Sequence, residues 1–387
     1  MGNEPTEHKG TPKPRARLWP LTPHTAAKHE ILRRYLRRWV PIMAQRYPCL
    51  GYVDCFAGPG EYASGEPGSP IVALDIARQY LSRGILKPHQ LAMVFIEANK
   101  RRHKHLVHRY NVLKSQNSEI SQIAVDVRCA EFSESAIDVQ AFLLKRRSGA
   151  LPIFYFIDPF GVKGLPYSVL RHLLVPDGNE FLFTFMYEET NRFYSSPEFE
   201  EHLDSMFGEP YWRTLRTITG NRRKLETIEY FKRRLLSAGA KYVVAFEMRN
   251  SRNTTDYFLL FATKNIRGLE VMKEAMWDVD RSGNFMFSDY TYSKGPLLIE
   301  LSPDYSPLQT QLLAHFANRR HVSVAEIREF VLTHTSFLRF MNEALRPMIA
   351  RNQCYIEHGD RQSSRLDRDA ILSFGPRAGT PLGLFGD

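Results

Sequence analysis

Four acidic residues and a glycine turn stand where a chain could hold and orient a small ligand. Asp54 opens the run Asp54-x-Phe56-x-Gly58-x-Gly60, and Glu97, Glu131 and Asp158 follow it in order, each after a short apolar stretch. Glycines directly behind a buried strand let the backbone turn sharply and approach a ligand with no Cβ in the way. Asp54, just before the turn, could accept hydrogen bonds from an ammonium group or a hydroxyl, and Glu97 from a pair of hydroxyls. Glu131 could accept from an amino group. Asp158 heads Asp158-Pro159-Phe160-Gly161. Its carboxylate and the Pro159 carbonyl could orient an amine, with Phe160 stacking on a flat ring. Each acid alone is as often a helix cap or a solvated loop residue, and Asp158 could simply cap the next turn with Phe160 in the core. The order of all four points to a site.

The elements around them give that order its meaning. Apolar runs end at 56, 96, 129, 157 and 187, and helical patterns separate them (71–81, 99–113, 133–146, 165–174). Strands alternating with helices predict a parallel sheet with helices on both faces. Ligands of such sheets bind beyond the carboxyl ends of the strands, where all four acids fall. Further helices are expected at 198–207 and 225–236. A hairpin of 242–248 with 257–263 and a helix over 267–279 would close the unit. Thr22-Pro23 reads as an N-cap with a first-turn proline. It opens a helix with Ile31, Leu32, Tyr35, Leu36, Trp39, Val40 and Met43 on one face and Arg33, Arg34, Arg37 and Arg38 on the other.

The expected division is a flexible Pro-rich arm over 1–22, the α/β domain over 23–280, a linker over 281–305, a second domain over 306–375 and a loose tail over 376–387. The second domain reads as three short helices followed by a strand pair, the pattern of a winged helix-turn-helix.

A net charge of +10 favours an anionic partner such as nucleic acid. The excess is uneven. Residues 1–46 carry ten Lys/Arg against three acids, and residues 98–114 carry six and no acid. The candidates for phosphate contact are therefore Arg34, Arg38, Arg101, Arg102 and Lys104, with Arg339, Arg361 and Arg365 from the second domain. Solvated helix faces explain each basic run equally well. No run of 18 apolar residues exists to span a membrane. The start of the chain lacks an apolar signal core. Four scattered cysteines without a C-x-x-C pair argue for a reducing, cytoplasmic setting and against a metal site. Oligomeric state is not legible.

The motifs resemble those of S-adenosylmethionine (SAM) methyltransferases of class I, whose cofactor pocket opens with D-x-F-x-G-x-G. The resemblance implies a Rossmann-like, seven-stranded sheet closed by a hairpin, with SAM held by Asp54, Phe56, Gly58, Gly60, Glu97 and Glu131. An NAD site fits worse: its ribose acid follows the glycines by about 20 residues, and G-x-G-x-x-G is absent. No P-loop motif is present. Asp158-Pro159-Phe160-Gly161 resembles the D/N-P-P-Y/F motif of enzymes that methylate exocyclic amino nitrogens of nucleic-acid bases, without the second proline. The chain also resembles the three-Cys-motif partner protein (TcmP) family. The pieces are Pro23-His24-Thr25, Lys28-His29-Glu30-Ile31-Leu32, Tyr52 to Gly60, Phe156 to Gly161, Asn191-Arg192-Phe193 and Tyr257 to Thr263. That likeness implies a methyltransferase-like fold and a separate protein partner bearing a three-cysteine motif. Two functions follow: a SAM-dependent methyltransferase acting on a base amino group of RNA or DNA, or a non-catalytic methyltransferase-like partner that binds a protein or nucleic acid.

Overall fold

The computed structural model describes residues 18–145, 151–280, 285–289, 304–337, 341–359, 366 and 369–375. The first unit runs α1 (Pro23–Arg46), β1 (Leu50–Asp54), α2 (Ser69–Ser82), β2 (Leu91–Ile96), α3 (Lys100–Gln116), β3 (Ala124–Arg128), α4 (Phe132–Lys145), β4 (Ile153–Ile157), α5 (Tyr167–Leu174), β5 (Glu180–Phe185), α6 (Tyr187–Phe193), α7 (Glu200–Phe207), α8 (Gly220–Ser237), β6 (Tyr242–Arg249), β7 (Thr255–Thr263), α9 (Ile266–Trp277) and β8 (Met286–Ser288). The strands form one sheet in the order β3-β2-β1-β4-β5-β7-β6-β8. β1 to β5 pair in parallel, and β7 enters antiparallel between β5 and β6.

Side-chain alternation splits the core across the two faces of this sheet. Val53, Ile153, Tyr155, Ile157, Phe181, Phe183 and Phe185 pack on the α4, α5, α7 and α8 side. Leu50, Tyr52, Phe154, Phe156 and Leu182 pack against α1, α2 and α9 on the other. A strand buried on both faces reads as a continuous apolar run, which is why β4 and β5 stood out in the sequence.

Three expectations need correction. The sheet has eight strands, not seven. Met286–Ser288, assigned to a linker, pairs in parallel with Glu247–Arg249. β6 would otherwise be an open edge, and a passing three-residue segment satisfies its backbone; so short a strand has no readable alternation. Tyr187–Phe193, which carries Asn191 and Arg192, begins a helix where the fifth strand was extended to Tyr187. The arm is placed from residue 18: the Trp19 carbonyl accepts the Ala63 N–H at 3.0 Å. Residues 1–17 and the tail 376–387 lie outside the described residues.

The second unit holds α10 (Ser306–His315), β9 (Val322–Ser323), α11 (Val324–His334), α12 (Met341–Ala350), β10 (Cys354–His358) and β11 (Ile371–Phe374) around its own apolar core. Its three strands are antiparallel in the order β10-β11-β9, one strand more than expected. Ser323 caps α11 by accepting the Glu326 N–H at 3.1 Å. The third helix is described over Met341–Ala350, and 338–340 lie outside the described residues. The units meet where α9 packs on α11, and Lys273 of α9 is wholly buried there.

Candidate functional site

The strand order reverses between β1 and β4, so the carboxyl ends of these two strands border the crevice where such sheets bind ligands. Asp54 closes β1 and Asp158 follows β4 by one residue. Asp54 is fully buried. Its Oδ1 accepts the Phe56 N–H at 3.3 Å, and its Oδ2 has no hydrogen-bond partner among the described residues. Burial pushes this carboxyl up to about 7, against the pull of the Ser69 hydroxyl and the Phe56 N–H; the negative charges of Asp158 and Glu97 push it further up. Asp54, Glu97 and Asp158 therefore share one electrostatic neighbourhood.

The turn after β1 has the form its glycines foretell. Gly58 and Gly60 have φ of +63° and +86°. A Cβ on Gly58 would meet open space, whereas one on Gly60 would lie 2.7 Å from Leu106 Cδ1. The turn is pinned from behind. His105 of α3 bonds the Pro59 carbonyl through Nδ1 at 2.9 Å and faces Glu61 through Nε2 at 3.1 Å. We expect Gly60→Ala to destabilise the fold by about 2 kcal/mol, from left-handed strain plus displacement of buried Leu106; equal denaturation midpoints for variant and parent would contradict this.

Glu97 follows β2 and is buried. Its Oε1 accepts from the Asn99 N–H at 2.7 Å and from Arg102 Nε and Nη2 at 2.9 and 2.8 Å. Arg102 was assigned to a phosphate-binding face; it turns inward to Glu97 instead. Phe56 stacks at a tilt on Phe132, 5.4 Å away. The Glu131 side chain is exposed, and its carbonyl takes Ser135 N–H and O–H as α4 begins. Pro159 is buried, while Phe160 is 56% exposed.

The structure adds residues to which the sequence gave no role. Lys28, buried on α1, donates to both oxygens of Asp158 at 2.7 and 2.6 Å and lies 5.2 Å from the Tyr257 ring centre. Burial and then the Lys28 charge drive His29 down to about 3, so it is neutral at pH 7, next to the Tyr62 hydroxyl at 3.4 Å. Trp19 crosses the mouth edge-on to Phe160 at 5.3 Å. One turn before Lys28, His24 bonds Asp289 at 2.6 Å. Lys28 and His29 fall in a stretch quoted only for a family likeness; the approach of Lys28 to Asp158 spans 130 residues and leaves no local signal.

Of the phosphate candidates, Arg34 pairs with Glu30 and Asp278, and Arg38 with Glu274 and Asp278, so these two tie α1 to α9 rather than forming a free ridge. Arg101 and Lys104 are exposed and make no ion pair among the described residues. Arg339, Arg361 and Arg365 lie outside the described residues. No group of three or more His, Cys, Asp or Glu among the described residues is placed to hold a metal, and no described helix is long and apolar enough to cross a membrane. A cavity of about 480 Å³ opens at the opposite end of the sheet, among Tyr35, Trp39, Glu180 and Thr263. There Glu180 is capped by the Tyr35 hydroxyl at 2.6 Å, and Lys264 on the rim pairs with Asp177. It is remote from the acids at the carboxyl ends of the strands.

No protein-family model matches the chain, and no curated protein matches it. Similar solved structures include protein LPL1258 of Legionella pneumophila, with a TM-score of 0.37 and 12% identity over 63% of this chain and 85% of that one. Precorrin-6y C5,15-methyltransferase of Geobacter metallireducens gives 0.28 and 13%, over 59% and 87%. P. horikoshii TYW2, solved with MeSAdo, gives 0.28 and 14%, over 64% and 66%. Likenesses this distant assign the chain to no family.

Proposed function

We propose that the protein is a SAM-dependent methyltransferase acting on an exocyclic amino nitrogen of a nucleic-acid base. One observation carries this reading: at the β1/β4 reversal, a buried oxygen of the Asp54 carboxyl has no hydrogen-bond partner among the described residues and stands beside an open glycine turn. A buried acceptor left unpaired is costly, and a donor from a ligand would relieve it. A parallel sheet closed by an antiparallel hairpin, the usual ending of SAM-methyltransferase folds, supports the same reading by analogy.

The chain's own residues fit the cofactor. Asp54 would take an ammonium or hydroxyl donor, Gly58 leaves room for close backbone approach, and Glu97 would accept hydroxyls through Oε2 while its Oε1 holds Arg102. Bound there, SAM would supply an electrophilic methyl group. Asp158 and the Pro159 carbonyl would orient the acceptor amine, and Phe160 would stack on its ring. Positioning, rather than a strong base, supplies most of the acceleration. Lys28 does not exclude an amine from Asp158, because an ionised carboxylate has about four acceptor sites and the lysine uses two.

Calorimetry with SAM tests the reading, and Asp54 adds a signature. Burial holds its carboxyl up at about 7 against the pull of the Ser69 hydroxyl and the Phe56 N–H, so gaining a further donor lowers it. Binding at pH 6–7 should then release protons, seen as a heat that varies with buffer ionisation enthalpy and is lost in Asp54→Asn. No binding at high micromolar SAM would remove the enzyme reading.

A second reading is favoured by one fact: Lys28 already occupies both oxygens of Asp158. On that reading the domain is a non-catalytic partner, as the TcmP likeness implies, docking a three-Cys-motif protein through a winged-helix second unit. It predicts no SAM binding in the same titration.

A further inference from the structure

We propose that Trp19, Phe160 and Arg102 form the seat of one unpaired nucleobase, and that the flanking strand runs over Arg101 and Lys104, so that the substrate is single-stranded nucleic acid or an extruded base. This rests on the nucleic-acid reading above and adds the form of the substrate and the residues that choose it.

Phe160 is a large aromatic left 56% exposed, two residues after the acid assigned to the amine. Trp19 meets it at 5.3 Å with the planes at 90°. The Arg102 guanidinium lies 5.9 Å from the Trp19 ring centre and 5.7 Å from that of Phe160. Two rings and a flat cation converge on one spot, a surface suited to a π-face of any base. The parts are braced. Glu97 fixes Arg102 through two nitrogens, and the Ala63 N–H holds the Trp19 backbone.

Charge says what covers this surface. α3 carries Arg102 in its first turn and has no acidic residue. Lys100, Arg101, Lys104 and His108 are exposed on it. Arg101, Lys104 and His108 follow one another at three- and four-residue steps, so they line a single face. Of the two basic helices, α1 spends Arg34 and Arg38 on α9; α3 spends Arg102 on Glu97 and Arg109 on Glu61 but leaves Lys100, Arg101 and Lys104 without an ion pair among the described residues. A base at Phe160 would place its neighbouring phosphates toward that face. A base paired in a duplex would offer its edge and not its π-face, so the seat demands an unpaired one.

The test uses the full chain and labelled oligo(dA) and oligo(rA) of about a dozen nucleotides, each also as a duplex, read by fluorescence anisotropy. At least one single strand should bind roughly tenfold or more tighter than its duplex, and the tighter of the two names the strand. Trp19→Ala and Phe160→Ala should each weaken it roughly tenfold, while Trp19→Phe, which keeps a ring, retains most of the affinity. The pair Arg101→Gln with Lys104→Gln should flatten the salt slope by about 2. Equal affinity for duplex and single strand, or unchanged affinity in both alanine variants, overturns the seat. Calorimetry with S-adenosylhomocysteine separates the two readings. Strand binding without adenosyl binding keeps the seat and removes the enzyme; adenosyl binding without strand preference does the reverse.

Discussion

Asp158→Ala should lower methyl transfer to nucleic acid by about 10²–10³-fold while SAM affinity stays within about threefold, because in the proposed mechanism the side chain serves the acceptor amine and not the cofactor. Labelled-methyl incorporation, followed by mass spectrometry of the nucleosides, reads the first quantity and calorimetry the second. Asp158→Asn sharpens the test. An amide keeps an acceptor oxygen, so if the group orients the amine, Asn should lose less than Ala. If it removes the proton, the two should lose alike. Either variant also strips Lys28 of its counter-charge. Lys28 is 7% exposed in its side chain and Asp158 21%, so the pair is neither a surface bridge nor a deeply buried one. Leaving that ammonium unpaired should cost about 2–3 kcal/mol of stability. The double variant Asp158→Ala with Lys28→Met should regain most of that stability and none of the activity, since methionine keeps the apolar stem. Methyl transfer within tenfold of the parent in Asp158→Ala would take Asp158 out of the mechanism.

Lys273→Met should be the most damaging substitution for the union of the two units, at roughly 3 kcal/mol. Lys273 sits on α9 with no exposure, and the three N–H donors of its Nζ are shared among the carbonyls of Val331, Leu332, Thr335 and Phe337 at 3.2, 2.8, 2.8 and 2.7 Å. These carbonyls lie at the end of α11 and just beyond it, where a helix has unpaired acceptors and its dipole favours a cation. Charge-assisted bonds are worth about 1.5–3 kcal/mol each, and the burial of the ammonium cancels part of that gain. Burial pushes the Lys273 amine down to about 7, from 10.5 in the unfolded chain. Between those values the unfolded state holds more protons, so stability relative to Lys273→Met should rise with pH across that window and be flat below it. Hydrogen exchange would show α11 losing protection before the sheet does. A variant as stable as the parent, with α11 still protected, would mean that the apolar contacts alone hold the units together.

Much of the first unit could be read from the chain because its signals are local. β4 was placed at Ile153–Ile157 from five consecutive apolar residues, and Gly60 from the turn that must follow a strand. Those signals fix the order of elements and put Asp54, Glu97 and Asp158 at strand ends. They do not say where each charge spends itself. Glu97 reads as a free acceptor until Arg102, five residues on, is seen bonded to it. Arg34 reads as a phosphate ligand until Asp278 arrives from 244 residues away. Lys28 carries no catalytic signature, and only the packing of α1 against the sheet delivers it to Asp158. Periodicity and turn chemistry are properties of neighbours along the chain, so the sequence alone determined the elements and the end of the sheet that holds the acids. The pairing of charges, the seating of Trp19 on Phe160 and the eighth strand depend on which distant groups share a buried space, and only the tertiary structure decided those.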